Sequence, residues 1–335
     1  IDAVIDSQME RRVELQDGVE GLYIRRISEM DAKQRMGRAG RCREGIYINA
    51  YTEFEQQLTF PVAEIQRTEL SQLVLRLAIA GFDATELEFF HQPDRMVLEE
   101  AKRFLGIIDA LHVRDDGTLE VSEVGKKIAQ LPVSVQFGRM LVAAAEQERV
   151  VLDDVVTIVS CLEVKGITNP KEFDNWKKLL PEQCPSDLIA QLHIFNKACA
   201  MQKKMMLEHG IQPKRYFRAR EIREKLIKCV KNVFPDVPLE TKGNHDEYIL
   251  DACAAGMVDH LYIFVSYDFR RESAKYRNGG SMVRALSQYS VAAAQGYSSP
   301  RLIVGLPVDI EFVNYHGGKG TLNLITMATP VSVEM

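Results

Sequence analysis

The chain has 335 residues, of which 46% are hydrophobic and 27% are charged. It can therefore bury a core and is long enough for two or three domains. The net charge is −5 and the pI is near 5.9, which excludes a uniformly basic nucleic-acid binder. Any contact with phosphates must come from local cationic patches. The sequence has no run of 18 uncharged apolar residues and no signal-peptide pattern, so it predicts neither a membrane span nor secretion.

The cysteines and histidines are dispersed along the chain. None of the 6 cysteines forms a CxxC pair, and none has a histidine at zinc-site spacing. Scattered thiols of this kind are typical of a reducing intracellular compartment. The sequence therefore predicts a cytoplasmic protein with no metal site built from these residues.

The first 50 residues favour strand, helix and strand. AVID is a short apolar strand, and RRVEL and LYIRRI flank Asp17-Gly18, a hairpin turn signal. A helix follows in SEMDAKQR, with Ser28 as the predicted N-cap and Asp31 in its first turn. The helix ends in the glycines of GRAGRCREG, and IYINAY is the next strand. This order predicts the last part of an α/β domain that the chain enters midway.

The middle of the chain is helical from about Pro61. Apolar residues share a helix face up to Gly81, and a second helical stretch runs to Leu111. Two short strands around Asp116-Gly117 follow, a pattern typical of a winged-helix module. Further helices come after residue 134, including one with Leu188, Leu192, Phe195 and Cys199 on one face and one from Arg218 to Val230. They predict a helical bundle.

After Val233 the pattern changes to one helix, YILDACAAGM, followed by several strands. The strand-like runs are LYIFVSYDF, SMVRALS, LIVGLPVDIEFVNY and TLNLITMATPVSVEM, with glycine turns at 279–280 and 317–318. Several short strands in this space predict a small barrel or an open β-sheet.

One stretch has a sequence pattern that indicates a particular chemistry more specifically than the rest of the chain does. In QRMGRAGR, residues 34–41, the spacing predicts Gln34, Arg38 and Arg41 on one helical face. Gly37 and Gly40 leave room for a close neighbour because they have no side chain. Two guanidiniums and an amide on one face can bind a polyphosphate and stabilise charge on a transferred phosphoryl group. The alternative is a solvated basic helix, the usual meaning of a charge run.

QRMGRAGR resembles motif VI of superfamily-2 helicases, in the form typical of the DEAH-box branch. The flanking EGIYINAYTE, PVAEIQRTELSQLVLRLAIAG and DDGTLEVSEVGKKIAQLPVSVQFGRMLVAAAE are also similar to that family. The resemblance covers roughly residues 1–230 and is weaker beyond. It implies a multidomain α/β, α and β chain: the end of a second RecA-like domain (1–54), a winged helix (55–122), a helical ratchet bundle (123–232) and an OB-like β-barrel (233–335).

The resemblance also implies an activity. Members of the family hydrolyse ATP with Mg²⁺ between two RecA-like domains and move along single-stranded nucleic acid, here with RNA favoured over DNA. By position, Gln34 would contact the γ-phosphate beside Gly37, and Arg38 and Arg41 would be arginine fingers, while Arg35 would be structural. The hairpin at 17–18 corresponds to the one that wedges at the strand or duplex junction. The expected partner of the site is the N-terminal RecA-like domain of the same protein.

The sequence lacks other parts of such an ATP site. It has no GxxxxGK[ST] motif, since GGKGT at 317–321 differs in spacing and order, and it has no DEAH-like acidic motif to bind Mg²⁺. We therefore expect this chain alone to be inactive, with the metal held mainly by the missing domain. The alternative function is a non-catalytic nucleic-acid-binding scaffold with winged-helix and OB-like modules.

Two cationic clusters are candidates for the path of the strand. From Lys197 to Lys231 there are eleven Lys or Arg against three Glu, with Tyr216 and Phe217 among them. The second cluster contains Arg270, Arg271, Lys275, Arg277 and Arg284, interleaved with Tyr267, Phe269 and Tyr276. Cations bind phosphates and aromatic rings stack on bases, so the second cluster is the predicted binding surface. The first remains open between a strand contact and a solvated helix face.

Overall fold

The computed structural model describes residues 1–16, 19–51, 57–239, 245–280, 282–293, 298–313 and 319–331. The chain divides into two compact units. The first contains Ile1–Leu70, Glu88–Val97 and Val308–Leu322, and the second contains Ser71–Leu87, Leu98–Pro307 and Asn323–Met335. Within the described ranges, no helix combines the length and apolar character that crossing a membrane requires.

The N-terminal part of the first unit has the predicted order of strand, hairpin, helix and strand. Its elements are β1 (Ala3–Asp6), β2 (Met9–Gln16), β3 (Val19–Arg26), α1 (Glu29–Ala39) and β4 (Ile46–Asn49). β1 and β4 pair in parallel, with Ala3 opposite Ile46, and β2 and β3 form an antiparallel hairpin. The predicted turn residues Asp17 and Gly18 lie outside the described residues.

The parallel pair β1 and β4 has an exposed apolar surface. Ile5 is 72% exposed, Ile46 62% and Ile48 48%. Parallel strands are ordinarily covered by other elements on both faces and paired with more than one neighbour. By contrast, Tyr23 and Ile27, at the end of the hairpin nearest α1, are almost fully buried.

A short helical and hairpin region follows residue 70 in sequence. It consists of α2 (Ser71–Ile79), α3 (Arg95–Ile107), β5 (Leu111–Val113), β6 (Leu119–Val121) and α4 (Glu123–Ala129). The hairpin around Asp116-Gly117 is confirmed. The extension of the second helix to Leu111 is wrong, because Asp109 has φ of 62°. A left-handed residue ends a helix, and Leu111 instead begins β5.

The predicted helical bundle is confirmed. Its helices are α5 (Val135–Glu146), α6 (Leu152–Glu163), α7 (Phe173–Lys177), α8 (Asp187–Ala198), α9 (Lys203–Glu208), α10 (Pro213–Val233) and α11 (Asp246–Gly256). α6 packs between α8 and α10, and α5 packs against α11. The core includes Cys161, Trp176, Ile194, Phe195 and Tyr216.

Three predicted details of the helices differ in the structure. α10 begins at Pro213 rather than Arg218, since proline is well tolerated in a first helical turn. Cys199 caps α8 and is exposed, so it does not continue the apolar face. α11 was predicted as part of the last domain but contacts the bundle, where a Cβ on Gly256 would meet the carbonyl of Gln136 at 2.3 Å.

The remaining strands form a closed mixed sheet. They are β7 (Leu261–Asp268), β8 (Ser273–Arg277), β9 (Val283–Leu286), β10 (Leu302–Val313) and β11 (Lys319–Pro330), in the spatial order β10-β11-β9-β8-β7. β10 also pairs with β7, which closes the sheet, and β11 pairs with β9 in parallel. Its core contains Tyr262, Tyr276, Leu286, Ile303 and Ile325. The sequence pattern missed β8 because Ser, Lys and Arg occupy most of its positions.

A buried carboxylate joins the bundle to the closed sheet. Asp187, at the start of α8, accepts hydrogen bonds from Ser290 Oγ at 2.7 Å and from the amides of Val291 and Ala328, both at 2.8 Å. Burial raises the pKa of Asp187 to about 6, although these three bonds act in the opposite direction. Beside it, Ser186 and Thr329 share a hydrogen bond of 2.7 Å.

Candidate functional site

The helix α1 positions the first candidate residues. Ser28 accepts a hydrogen bond from the Asp31 amide, and the Asp31 carboxylate accepts one from the Ser28 amide, so both halves of a capping box are present. This confirms the predicted N-cap. The amides of Glu29 and Met30 donate to the carbonyls of Leu58 and Thr59, so the first turn of α1 is also tied to a neighbouring segment.

The three residues predicted to share a helical face do not all lie on the helix. Gln34 and Arg38 are exposed on one face of α1, four residues apart. The helix ends at Ala39, however, and Gly40 caps it with φ −94° and ψ 11°. Arg41 therefore lies in the bend that follows, and its predicted helical placement is wrong. Gly40 comes three residues after Gly37, and two glycines this close together disfavour continuing the helix.

The segment carrying Arg41 is tethered where it returns to the sheet. A Cβ on Gly45 would lie 2.2 Å from the carbonyl oxygen of Ala39, so only glycine allows the chain to fold back onto the end of α1 this closely. Arg43 forms an ion pair with Asp2 next to β1. Among the described residues, and apart from the backbone of α1 itself, no atom lies within 4 Å of a Cβ placed on Gly37 or Gly40.

The second residue of the motif has a different environment from the others. Arg35 donates from Nη1 to Asp6 Oδ1 at 2.7 Å, at the carboxyl end of β1. Asp6 Oδ2 accepts a hydrogen bond from Tyr47 Oη at 2.7 Å, and Oδ1 accepts one from the Gln8 amide at 2.9 Å. We call Asp6, Arg35 and Tyr47 the α1 clamp. The side chain of Asp6 is 0% exposed.

The charge state of the α1 clamp follows from these contacts. Burial would raise the pKa of Asp6, but the hydrogen bonds from Tyr47, Gln8 and Arg35 outweigh it, and the pKa is lowered. Burial and the Asp6 carboxylate both raise the pKa of Tyr47. The clamp is therefore an ionised carboxylate held by a guanidinium and a neutral phenol at pH 7.

The exposed motif residues suit an anionic ligand. In the part of the chain that the structure describes, neither Arg38 nor Arg41 has an acceptor within hydrogen-bond distance. Guanidiniums and an amide match the charge and geometry of phosphate oxygens. The described residues contain no group of three or more His, Cys, Asp or Glu that could hold a metal ion. The donors of the motif are two cations and an amide, which match phosphate oxygens.

The second cationic cluster is split between surface and core. Arg270, Arg271 and Arg277 are exposed, whereas Lys275 pairs with Asp268 at 3.1 Å. Arg277 lies at an open cleft of about 630 Å³, together with Ile263, Val265 and the glycines at 279–280. Exposed Phe269 packs edge-on against Tyr267, with ring centroids 5.0 Å apart. These residues retain the predicted combination of cations and an accessible ring.

Two residues predicted for this surface are buried instead. Arg284 is only 3% exposed and donates to Met282 Sδ at 3.2 Å. Tyr276 is fully buried, with its hydroxyl donating to the carbonyl of Pro300 at 2.9 Å. Both predictions are corrected, because on paired strands alternate residues point to opposite faces of the sheet. Tyr276 and Arg284 face each other across β8 and β9.

Two arginines of the first cationic cluster are committed to the bundle. Arg223 forms an ion pair with Asp153, and Arg215 donates to the carbonyls of Lys165 and Gly166. Tyr216 is buried. Phe217 has cations near its ring from both Lys203 and Arg220, at 5.5 and 5.4 Å from the centroid. The other nine Lys and Arg of the cluster are exposed, so both a strand contact and a solvated helix face stay compatible with their placement.

The predicted hairpin is braced along its described length. The Leu15 amide donates to the carbonyl of Arg67 at 2.7 Å, and Arg67 Nη1 donates to the carbonyl of Val13 at 2.7 Å. Arg25 pairs with Glu14 at 2.8 Å and with Glu311 on β10 at 3.5 Å. The hairpin is thus attached to two other segments of its own unit.

Comparison with known proteins gives a family match for part of the chain. Residues 134–215 match the model of the helicase-associated domain (HA2), described as ratchet-like. This range lies in the helical bundle. The predicted resemblance to DEAH-box helicases is confirmed. The match overlaps the bundle and not the motif at residues 34–41, so it is independent of that motif.

Three relatives are similar over most of the chain. The pre-mRNA-splicing factor ATP-dependent RNA helicase prp22 of Schizosaccharomyces pombe is 28% identical over 71% of the chain and 21% of its own length. The ATP-dependent RNA helicase DHX33 of Mus musculus is 29% identical over 65% of the chain and 32% of its own length. The ATP-dependent RNA helicase HrpA homolog of Haemophilus influenzae is 27% identical over 72% and 20%. The chain thus spans a fifth to a third of these relatives.

Proposed function

We propose that this chain is the C-terminal part of a DEAH-box-type helicase that couples ATP hydrolysis to movement along single-stranded RNA. The observation that carries the proposal is the pair of exposed arginines, Arg38 and Arg41, at the end of a helix fixed to its sheet. The names of all three relatives contain ATP-dependent RNA helicase. They support RNA rather than DNA as the strand.

In this proposal the motif acts on phosphate groups that another domain helps to bind. Gln34 contacts the γ-phosphate, and Arg38 and Arg41 neutralise charge on the transferred phosphoryl group. Gly37 lets the phosphates approach the helix, since no described neighbour outside α1 lies within 4 Å of its missing Cβ. Mg²⁺, when bound, neutralises the β- and γ-phosphates. Its ligands belong to the N-terminal RecA-like domain, and the exposed isoleucines of β1 and β4 are covered by further elements of the full protein.

The finer domain assignments belong to the same proposal. Residues 1–54 are the end of a RecA-like domain, 55–122 a winged helix, 123–232 the ratchet and 233–335 an OB-like domain, whose first helix α11 packs against the ratchet. The α2–α4 region with its hairpin supports the winged helix, and the closed sheet supports the OB-like domain. Arg270, Arg271 and Arg277 contact the strand through its phosphates, and the braced hairpin lies at the strand or duplex junction.

The proposal is tested with the full-length protein and the Arg38→Ala variant. ATP hydrolysis is measured with and without single-stranded RNA and single-stranded DNA. We expect RNA to stimulate the wild type and Arg38→Ala to lower turnover about 10³-fold or more, as loss of an arginine finger does. RNA binding without nucleotide should persist.

The matched control is Lys33→Ala, which removes one positive charge from an exposed position of the same helix. It should leave turnover within about twofold. If the wild type does not hydrolyse ATP, or if both variants behave alike, the proposal is wrong. A chain that binds RNA under those conditions would be a non-catalytic scaffold.

A further inference from the structure

The α1 clamp joins the motif helix to both parallel strands through one buried carboxylate. Asp6 is the last residue of β1, Tyr47 lies in β4, and Arg35 comes from α1. Arg35 Nη1 and Tyr47 Oη each lie 2.7 Å from a carboxylate oxygen of Asp6. A fully buried carboxylate is stable only when its oxygens are satisfied, so these partners cannot move independently.

The position of Arg35 in the helix makes this contact relevant to the neighbouring side chains. Successive helical residues are about 100° apart, so Arg35 and Arg38 lie about 60° apart around the axis. If the Arg35 guanidinium is fixed to Asp6, the helix cannot rotate about its axis. The direction in which Gln34 and Arg38 project is then determined as well.

The other end of the helix does not supply the same restraint. The capping box of Ser28 and Asp31 fixes where α1 begins, and the amides of Glu29 and Met30 tie its first turn to the backbone at 58–59. These bonds act on the first turn and not on the turn that carries Gln34 and Arg38. Near the C-terminus, Arg43 and Asp2 form a pair with side chains 73% and 72% exposed. Exposed pairs of this kind contribute little. Among the described side chains, the clamp is the buried polar contact between α1 and its sheet.

We propose that Asp6, Arg35 and Tyr47 are positioning residues that set the rotation of α1 and so aim Arg38 at the transferred phosphoryl group. This inference rests on the proposed function. Arg35 itself does not touch the nucleotide, because its guanidinium is committed to Asp6 and to the carbonyl of Met9. A misplacement of about 1 Å in such a group costs about 10²-fold in rate.

The test compares Arg35→Met and Tyr47→Phe in the full-length protein with RNA present. Turnover, the KM for ATP, the affinity for ADP and the affinity for ADP with aluminium fluoride are measured. The fluoride complex resembles the transferred phosphoryl group, whereas ADP lacks it. We expect Arg35→Met to lower kcat and fluoride-complex affinity at least tenfold, with ADP affinity and KM within about threefold. Tyr47→Phe should show the same pattern in a weaker form.

A structural role alone predicts a different result. The control Lys102→Met breaks a partly buried ion pair with Asp83, of 2.7 Å, that is distant in sequence from the motif. It should lower thermal stability without separating the two affinities. If Arg35→Met lowers kcat only in proportion to the folded fraction, or weakens both ligands equally, the inference is overturned. If Arg38→Ala also leaves hydrolysis intact, the proposed function fails first; if Arg38→Ala alone is defective, only the positioning inference fails.

Discussion

The motif at residues 34–41 and the cationic segment at residues 268–284 both concentrate arginine, but they use it differently. In the motif, Arg35 is bound to a buried carboxylate while Arg38 and Arg41 are exposed. In the segment, Arg284 is buried within the closed sheet while Arg270, Arg271 and Arg277 are exposed. Each region therefore contains one arginine committed to the fold and others available to a ligand.

The comparison shows that a cluster of like charges in sequence is not one functional group. The helix of the motif distributes its residues around an axis, and the strands of the segment alternate them between two faces. In both cases one cation is turned toward the protein, where it must find partners. The following experiments separate the committed arginines from the available ones.

The largest effect on stability should come from Arg284→Met. Removing a buried guanidinium leaves its partners unsatisfied, and we expect the free energy of unfolding to fall by about 3 kcal/mol. Urea unfolding of the chain measures this. The matched control Arg277→Met, at an exposed position of the adjacent strand, should stay within about 0.5 kcal/mol of the wild type. Equal losses would contradict the division into buried and exposed arginines.

The buried surroundings of Arg284 also predict a pH dependence through His260. Burial and the positive charge of Arg284 lower the pKa of His260 to about 4 from 6.5. The contribution of neutral His260 to the free energy of unfolding is therefore complete above pH 6.5 and is lost as the pH falls toward 4. Replacing it by Gln should make the chain more stable relative to the wild type at pH 4.5 than at pH 7, by about 2 kcal/mol once its partial exposure is allowed for.

Asp187, in the same unit, predicts a pH dependence of stability with the opposite sign. Its raised pKa means that stability is complete below 3.8 and lost as the pH rises through about 6. Asp187→Asn should therefore gain stability relative to the wild type on going from pH 4 to pH 7, by up to about 3 kcal/mol. Unfolding midpoints of both variants across this range provide the test. Parallel pH profiles for the two variants would contradict both assignments.

A smaller effect is expected for nucleic-acid binding by the exposed arginines. Arg277→Gln should weaken single-stranded RNA binding a few-fold and reduce the slope of log affinity against log salt by about 1. It should not change the relative affinities for different sequences, since phosphate contacts carry none of that information. Fluorescence anisotropy at several salt concentrations measures both quantities. An unchanged salt slope would remove Arg277 from the binding surface.

The smallest effect concerns the residue beside the α1 clamp. Gln8 has φ of 60°, is 1% exposed, and its side-chain amide has no hydrogen-bond partner among the described residues. Gln8→Gly removes both the backbone strain and the buried side-chain amide. It keeps the hydrogen bond from the backbone N–H of residue 8 to Asp6 Oδ1. We expect a gain of about 1 kcal/mol in the free energy of unfolding. Asp109→Gly, with φ of 62°, removes the same backbone strain and loses only an exposed contact with His112 at 3.1 Å.

Much of the secondary structure could be predicted because it depends on local patterns. Apolar periodicity identified the bundle helices, alternation and turn residues identified both hairpins, and Ser28 with Asp31 identified the start of α1. The sequence patterns gave wrong predictions where a strand was mostly polar or where regular spacing continued past the end of a helix. β8 carries few apolar residues, and the spacing of Gln34, Arg38 and Arg41 implied a helix that ends before its last member.

The site was predicted only in part. The motif named Gln34, Arg38 and Arg41, but neither Asp6 nor Tyr47 was identified, although an acidic residue directly after the apolar AVI strand was a usable signal. No local pattern connects a carboxylate at residue 6 with a guanidinium at residue 35 and a phenol at residue 47. Their contact depends on the pairing of β1 with β4 and on the packing of α1 across them.

The sequence by itself determined most element types, the resemblance to a helicase family and the motif that we propose binds phosphate. These follow from short-range spacing, which is a property of the chain before it folds. Only the tertiary structure decided which polar residues are buried: Asp6, Asp187 and Arg284 look in sequence like ordinary surface charges. Burial depends on contacts between residues far apart in the chain, and a buried charge must find its partners there.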